Sequence, residues 1–186
     1  KVPALKASNA SQGQTITLDD HLNRYADVYR GYSTFIKVDP KTGHMILKDS
    51  FQIELPPYTQ DLADSGKGAS DGYAFINSYN VEMATGGTAH GKPAIEVGAS
   101  QLDFDYLHII NWKKAEQVVA AGKFTNLNGI RVITLETAIA EDLLHLAPEP
   151  RSPHGVDIAP KGDYITVSGK LDPHATVYGM DLIKKP

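Results

Sequence analysis

The sequence predicts an all-β protein built from short strands. Short apolar or alternating runs recur at a spacing of about ten residues, and clusters of Gly, Pro, Asn, Asp and Ser separate them. The last third is the most regular, with strands predicted at 155–158, 164–167 and 176–183. A Pro-Lys-Gly-Asp turn joins the first two of these strands, and a loop at 169–173 joins the last two.

The first strands form a predicted hairpin. Residues 33–38 form one strand, and residues 44–55 return as the second. The Asp-Pro-Lys-Thr-Gly run between them is a turn, because Pro40 presets φ and Gly43 tolerates a positive φ. The following segment, 56–72, begins with two prolines and contains several glycines and serines, which predicts a loop.

The middle of the chain has one convincing helix among further strands. Asn111 can cap a helix over 112–121, and Gly122 can end it, since glycine accepts the left-handed conformation found after helix ends. The Gly-rich stretch 83–100 predicts a surface loop, whereas 136–150 is ambiguous. Three further strands are predicted, at 73–79, 105–110 and 129–135.

The order strand, turn, strand, loop, strand in the last third is typical of a β-propeller blade. Earlier segments repeat this order loosely, so the predicted architecture is a partial propeller of about three blades over 33–186, with one short helix between strands. Residues 1–32 have no sustained period and are predicted to be an irregular connecting segment. A β-sandwich would give a similar strand pattern.

Composition excludes several classes of function. The net charge of −4 provides no basic surface for nucleic acid, and no apolar run approaches the roughly 20 residues of a membrane-spanning helix. The chain contains 0 cysteines, which excludes disulfides, thiolate nucleophiles, iron–sulfur clusters and thiolate copper sites within it. No nucleophile elbow, phosphate-binding loop or His-Glu-x-x-His motif is present.

His154 is the first candidate metal ligand. The chain has 7 histidines, none of them in an H-x-x-x-H or H-x-H pair, and a lone histidine is usually an ordinary polar residue. His154 differs because its Pro-His-Gly context places it just before the first strand of a predicted blade, and that strand lines the central channel of a propeller. Imidazole suits copper, zinc, iron and nickel, but further ligands would have to come from other blades.

Two carboxylates flank the Gly-rich loop. Glu82 follows one predicted strand, and Asp105 begins the next. With backbone carbonyls, the two could share a hard cation such as calcium, which takes six to eight oxygen ligands. The alternative is that both are solvated charges on a loop.

Three blocks of sequence, in this order, resemble the catalytic propeller of the nitrous-oxide reductase family. They are FINSYNVE at 75–82, FDYLHIINWKKAEQVVAAGKFTNLNGIRVI at 104–133, and SPHGVDIAPKGDYITVSGKLDPHATVY at 152–178. The Pro-His-Gly motif alone also occurs in unrelated propellers, whereas the ordered set of three is specific to the family. The family reduces nitrous oxide to dinitrogen and water, the last step of denitrification.

The resemblance implies a copper site and a calcium site. The family's seven-bladed propeller holds a sulfide-bridged tetranuclear copper cluster on seven histidines, and the histidine of Pro-His-Gly corresponds to His154. The family's calcium ligands in Tyr-Asn-x-Glu correspond to Tyr79 and Glu82, and the aspartate at the head of the next strand corresponds to Asp105. A further calcium ligand of the family, usually Asn, is Ser152 in this sequence, which departs from the pattern.

The resemblance also implies a larger enzyme around this chain. The family has a C-terminal cupredoxin domain whose binuclear copper site needs cysteines, so that domain is expected to be absent from this chain and the chain alone to be inactive. The family is a homodimer that takes electrons from a cytochrome c or cupredoxin, in the periplasm or on the outer face of the cytoplasmic membrane. Two alternatives are a non-catalytic propeller that acts as a scaffold or binding module, and a calcium-dependent propeller hydrolase.

Overall fold

The computed structural model describes residues 7–9, 14–16, 31–56, 58–79, 105–149, 152–170 and 172–184. The strands are β1 (Ala7–Asn9), β2 (Gln14–Ile16), β3 (Gly31–Phe35), β4 (Phe51–Leu55), β5 (Thr59–Ser65), β6 (Tyr73–Tyr79), β7 (Asp105–Asn111), β8 (Thr125–Leu127), β9 (Ile130–Ile133), β10 (Leu144–Glu149), β11 (Pro153–Ile158), β12 (Tyr164–Gly169) and β13 (Ala175–Gly179). The helices are α1 (Trp112–Ala120), α2 (Leu135–Ala140) and α3 (Met180–Ile183), and two 3-10 turns lie at Leu47–Asp49 and Gly68–Ser70. The fold is mostly β-sheet with few helices, which confirms the predicted all-β class.

Three larger sheets organise the described residues. The central sheet has the strand order β10-β7-β6-β5 and is antiparallel throughout. The C-terminal sheet has the order β11-β12-β13 and is also antiparallel. The mixed sheet has the order β3-β4-β9-β8, and its middle pair, β4 and β9, is parallel. A separate two-stranded sheet, β1 and β2, lies within the segment predicted to be irregular.

The central sheet has the strand order of a propeller blade. β5, β6, β7 and β10 follow one another across the sheet in chain order, and the chain inserts α1, β8, β9 and α2 between the last two. The C-terminal sheet is a three-stranded meander, whereas the parallel pair of the mixed sheet departs from the blade pattern. The described sheets do not close into a ring, so the blade count and the division at residue 33 stay predictions.

Two hydrophobic cores cover the two faces of the central sheet. One joins it to the C-terminal sheet through Phe75, Leu107, Ile109, Val156, Ile158, Ile165 and Val167. The other joins its opposite face to the mixed sheet and helices through Ile53, Leu55, Ile76, Ile110, Ala115, Ile133 and Leu144. Each of the Val, Leu, Ile and Phe side chains contributes about 1.5–3 kcal/mol through burial. The central sheet is therefore the layer against which the rest of the described chain is positioned.

The first strands of the central and C-terminal sheets, β5 and β11, lie side by side. The backbone N–H of Ile158 donates to Asp64 Oδ2 at 3.2 Å, and that of Ala69 donates to the Lys161 carbonyl at 2.9 Å. The close approach requires glycine at position 162, because a Cβ on Gly162 would lie 1.6 Å from the Lys67 carbonyl oxygen. In a propeller the first strand of each blade occupies the same inner position, and the pair β5 and β11 fits that arrangement.

One predicted loop is a strand. The prediction of a loop over 56–72 is wrong for 59–65, which forms β5. Aspartate is depleted in strands, and β5 contains Asp61 and Asp64, so its sequence gives little strand signal. Pairing with β6 on one side and packing beside β11 make it a strand, despite a bulge between Gln60 and Ala63.

Several strand boundaries differ from the prediction. The first hairpin is confirmed, because β3 pairs antiparallel with β4, but the second strand covers only 51–55 instead of 44–55. β11 begins at Pro153, so His154 lies within the strand and not before it. β13 ends at Gly179, and 180–183 forms α3 where a continuing strand was predicted.

The predicted helix is confirmed, but the prediction of a single helix is wrong. The Asn111 side chain accepts a hydrogen bond from the backbone N–H of Lys114 at 3.0 Å at the start of α1, and Gly122 has a φ of 76° after its end. α2 has a comparable cap at Thr134. It is only six residues long, too short to show a helical period in the sequence. None of the described helices is long and apolar enough to span a membrane.

Candidate metal centre

His154 lies in a β-bulge at the start of β11. Pro153 pairs with Gly169 and Gly155 pairs with Ser168, so β11 has one more residue than β12 here, and His154 is that residue. A bulge bends its strand and changes the direction of the extra side chain, and bulges are frequent next to active sites. The imidazole is accessible, since 57% of the His154 side chain is exposed.

The imidazole of His154 contacts a carboxylate on the neighbouring sheet. Its Nδ1 lies 2.8 Å from Asp61 Oδ2 on β5, and only 22% of the Asp61 side chain is exposed. Histidines that bind metals usually donate their other ring N–H to a carboxylate or carbonyl, which fixes the tautomer and the ring orientation. When Nδ1 donates to Asp61 in this way, the lone pair lies on Nε2, where a ligand can bind.

Asp105, at the start of β7, is buried and binds the backbone of Ser152, the residue just before β11. It is 1% exposed, and its Oδ2 accepts a 2.7 Å hydrogen bond from the backbone N–H of Ser152. Ser152 is 0% exposed and has a φ of 50°, a left-handed conformation that few residues other than glycine adopt. The N–H of Lys170 donates to the Ser152 carbonyl at 2.8 Å, so hydrogen bonds on both sides hold this strained residue.

Glu149, the last residue of β10, lies directly opposite Asp105 in the strand register. It is 4% exposed, and its Oε1 accepts a 3.0 Å hydrogen bond from the backbone N–H of Ser78 on β6. Its Oε2 is buried and has no hydrogen-bond partner in the described part of the chain. Burial raises the pKa of Glu149 to about 9, with a further increase from the Asp105 charge, although the bond from Ser78 opposes this.

Ser78, Asp105, Glu149 and Ser152 together form what we call the buried carboxylate site. Tyr178 on β13 packs beside it, and its hydroxyl donates to the Pro148 carbonyl. Burial raises the pKa of Tyr178, and the charge of Glu149 raises it further. The site thus lies between the central and C-terminal sheets, at the end of the central sheet where β6 ends and β7 begins.

Of the three calcium ligands predicted from the sequence, the structure describes Asp105 fully and only the backbone of Tyr79. Tyr79 ends β6, one residue beyond the registered pair Ser78 and Tyr106, at the same end of the sheet as Asp105. Its side chain lies outside the described part of the chain, as does the whole of Glu82. Asp105 and His154 are linked through the backbone of Ser152, two residues before the histidine.

Two of the other described histidines have different surroundings. His108 is 0% exposed, and burial lowers its pKa to about 4 against the opposing effect of the Ile76 backbone. His174 is exposed in the loop before β13, with its Nδ1 2.8 Å from Asp172 Oδ1. His174 therefore has a carboxylate partner like that of His154, but without a neighbouring sheet.

The residues present fit parts of two metal sites. Within the described ranges, no three His, Cys, Asp or Glu side chains come together at metal-binding distance. His154 offers one imidazole, which suits copper, zinc, iron or nickel. The buried carboxylate site offers only oxygen atoms, including the buried Oε2 of Glu149, and such a donor set suits a hard cation such as calcium.

Sequence reasoning missed Asp61 and Glu149. Asp61 precedes His154 by 93 residues and falls in a segment predicted to be a loop. Glu149 falls in the ambiguous stretch 136–150. The one local signal was an acidic residue at the end of Leu-His-Leu-Ala-Pro-Glu, a run that otherwise alternates as a strand does.

Comparison with known proteins gives one distant relationship. A nitrous-oxide reductase of Pseudomonas fluorescens is 26% identical over 88 residues, which are 45% of this chain and 14% of that protein. No family model matches the chain. The chain therefore spans about one seventh of the length of the curated relative that it matches, and the similarity supports a distant relationship to nitrous-oxide reductase.

Proposed function

We propose that this chain is part of a copper-dependent reductase that converts nitrous oxide to dinitrogen and water. The reaction consumes two electrons and two protons for each nitrous oxide, and one oxygen atom leaves as water. The observation that carries the proposal is the geometry of His154: an accessible imidazole in a bulge of the first strand of the C-terminal sheet, with Nδ1 2.8 Å from Asp61. The distant relationship to a nitrous-oxide reductase supports it.

In this proposal His154 supplies one ligand of a tetranuclear copper–sulfide cluster. Asp61 would accept a hydrogen bond from Nδ1–H and orient the ring, so that Nε2 would be the atom that holds copper. The cluster supplies the two electrons when it is bound. The remaining histidine ligands come from parts of the protein outside this chain, because one imidazole holds copper only weakly.

A calcium ion beside the cluster is the second part of the proposal. Tyr79, Glu82 and Asp105 are its proposed ligands, and the described geometry of Asp105 supports this role. Its buried carboxylate binds the backbone of Ser152, two residues before His154, so a cation at Asp105 would stiffen the backbone that presents the copper ligand.

The proposed parent protein is an enzyme of denitrification in the periplasm or on the outer face of the cytoplasmic membrane. This chain, from 33 to 186, would supply about three blades of a seven-bladed propeller. A cupredoxin domain with the binuclear copper site, a homodimeric partner and an electron donor such as a cytochrome c or cupredoxin would complete the enzyme. A non-catalytic propeller that serves as a scaffold is the competing function.

The test compares two histidines in the full-length protein that contains this chain. His154→Ala should abolish both nitrous-oxide reduction with reduced viologen and the visible absorbance of the cluster. His174→Ala is the matched control, since His174 also pairs with an aspartate, and it should leave both unchanged. Full activity and normal cluster absorbance in His154→Ala would contradict the proposal, and a folded parent that takes up no copper would favour the scaffold.

A further inference from the structure

We infer that Glu149 is a further carboxylate ligand of the cation at Asp105, in addition to the proposed Glu82. This inference rests on the calcium part of the proposed function and adds a residue that the resemblance does not assign. It concerns the buried carboxylate site alone and requires nothing of the copper cluster.

Strand register brings the two carboxylates to one place. Glu149 and Asp105 are cross-strand partners of β10 and β7, and side chains of directly opposite residues have Cβ atoms about 4.5–5.5 Å apart on the same face. A single cation between two such carboxylates contacts both. This face packs against the C-terminal sheet. Leu107 and Ile109 are two and four residues after Asp105 on β7, so they share its face, and both belong to the core between the two sheets.

The Glu149 side chain is held with one oxygen ready for a ligand. The N–H of Ser78 binds Oε1, which fixes the carboxyl group, while Oε2 is buried without a partner in the described part of the chain. A buried polar atom without a partner costs about 1–3 kcal/mol. A cation bound to Oε2 removes that cost.

Asn77 provides an independent indication of a missing ligand. It is 0% exposed, and neither its side-chain oxygen nor its nitrogen has a partner among the described residues. In the register Asn77 lies opposite Leu107, two residues from Asp105 on β7, so it occupies the next row on the same face of the sheet. Calcium accepts amide carbonyl oxygens as well as carboxylates, so Asn77 adds a donor of the right class at the edge of the site.

Charge explains why a carboxylate would lie opposite Asp105. Two carboxylates facing each other in the interior repel, and a divalent cation relieves this repulsion more completely than water can in a buried position. The resemblance places Ser152 where an amide ligand is usual, which leaves the cation one good oxygen short. Glu149, three residues earlier on the same joint, supplies an oxygen and a negative charge instead.

The test measures calcium binding by calorimetry on the full-length protein after removal of calcium with EDTA. Glu149→Gln keeps the size of the side chain and removes its charge, and we expect it to weaken calcium binding at least tenfold. Asp105→Asn should weaken it comparably. Glu116→Gln, on the exposed face of α1, is the control and should bind calcium as the unmodified protein does.

The outcomes separate this inference from the proposed function. Wild-type affinity in Glu149→Gln together with weakened binding in Asp105→Asn would overturn the role of Glu149 and leave the calcium site at Asp105 intact. Wild-type affinity in both variants would overturn the inference and the calcium site together. If Glu149→Gln does not fold, Glu149→Asp replaces it: we expect weaker binding because the carboxylate is shorter, and unchanged binding would contradict the inference.

Discussion

Glu149 at the end of β10 and His154 near the start of β11 are five residues apart in the chain, and each lies beside an aspartate. The two pairs lie in opposite environments. His154 and its partner Asp61 lie at an accessible surface, with 57% and 22% of their side chains exposed. Asp105 and Glu149 lie in the interior, at 1% and 4% exposure. Ser152 connects the two pairs, because its N–H binds Asp105 and its chain leads directly into His154.

The difference shows how burial assigns the role of a carboxylate. At the accessible pair, water lowers the cost of the Asp61 charge, so the Asp61 carboxylate can accept a hydrogen bond from the ring N–H and orient the ring. At the buried pair the charge is costly, and Glu149 must hold either a proton or a cation. In the proposed function, the accessible pair therefore positions a metal ligand, and the buried pair carries a cost of burial that a bound cation would remove.

The largest expected effect is a pH dependence caused by Glu149. In calcium-free protein the folded pKa of about 9 lies above the 4.5 of an ordinary glutamate, so the unfolded state loses its proton first as the pH rises. The stability from this group is complete below about pH 4.5 and falls by at most about 1.4 kcal/mol per pH unit up to about pH 9. Urea unfolding across this range should show the fall in the unmodified protein and a flatter profile in Glu149→Gln.

Saturating calcium is the control for that experiment. A cation at the site favours the ionised carboxylate. The fall in the free energy of unfolding with pH should therefore become smaller in the unmodified protein when calcium is added. Identical pH profiles for the unmodified protein and Glu149→Gln without calcium would show that Glu149 is not the buried acid described above.

The second prediction compares alanine at the two aspartates. Asp105→Ala should lower the free energy of unfolding by about 2 kcal/mol, because the buried N–H of Ser152 loses its acceptor. Asp61→Ala should lower it by less than about 1 kcal/mol, since its partner His154 is accessible to water. Denaturant unfolding measures both, and equal losses would remove the distinction between the two pairs.

The third prediction concerns the orientation of His154. Asp61→Asn should lower the copper affinity of the full-length protein by about 10- to 100-fold, because the amide orients the ring less strongly than a carboxylate. Asp172→Asn, at the partner of His174, is the matched control and should not change copper content. Copper titration of the two variants measures the difference. Equal copper affinity in both would show that Asp61 does not position a copper ligand.

The smallest effect is expected at the edge of the buried site. Tyr178→Phe removes one hydrogen bond to the Pro148 carbonyl and should cost about 1 kcal/mol. Tyr164 is 52% exposed, so Tyr164→Phe should leave the free energy of unfolding almost unchanged. Thermal unfolding of the pair measures the difference, and an equal effect would mean that the Tyr178 hydroxyl contributes nothing to the joint.

Local signals predicted the parts of the fold that depend on neighbours in sequence. The cap at Asn111 and the glycine at 122 identified α1 because both act within one helical turn. β5 was missed because its strand character comes from β6 and β11, and its own aspartates oppose it. α2 was missed because its six residues are too few to show a period.

The candidate site divides in the same way. The Pro-His-Gly context identified His154 as a candidate from three adjacent residues. Asp61 and Glu149 could not be predicted, because their contacts span 93 and 71 residues and depend on which strands become neighbours. The bulge that sets His154 apart is likewise a property of the pairing between β11 and β12.

The most direct test of the central claim is anomalous X-ray scattering at the copper edge from crystals of the full-length protein. The account predicts a copper peak at bonding distance from His154 Nε2, with Nδ1 still in contact with Asp61. A copper-loaded protein with no copper peak at His154 would contradict it.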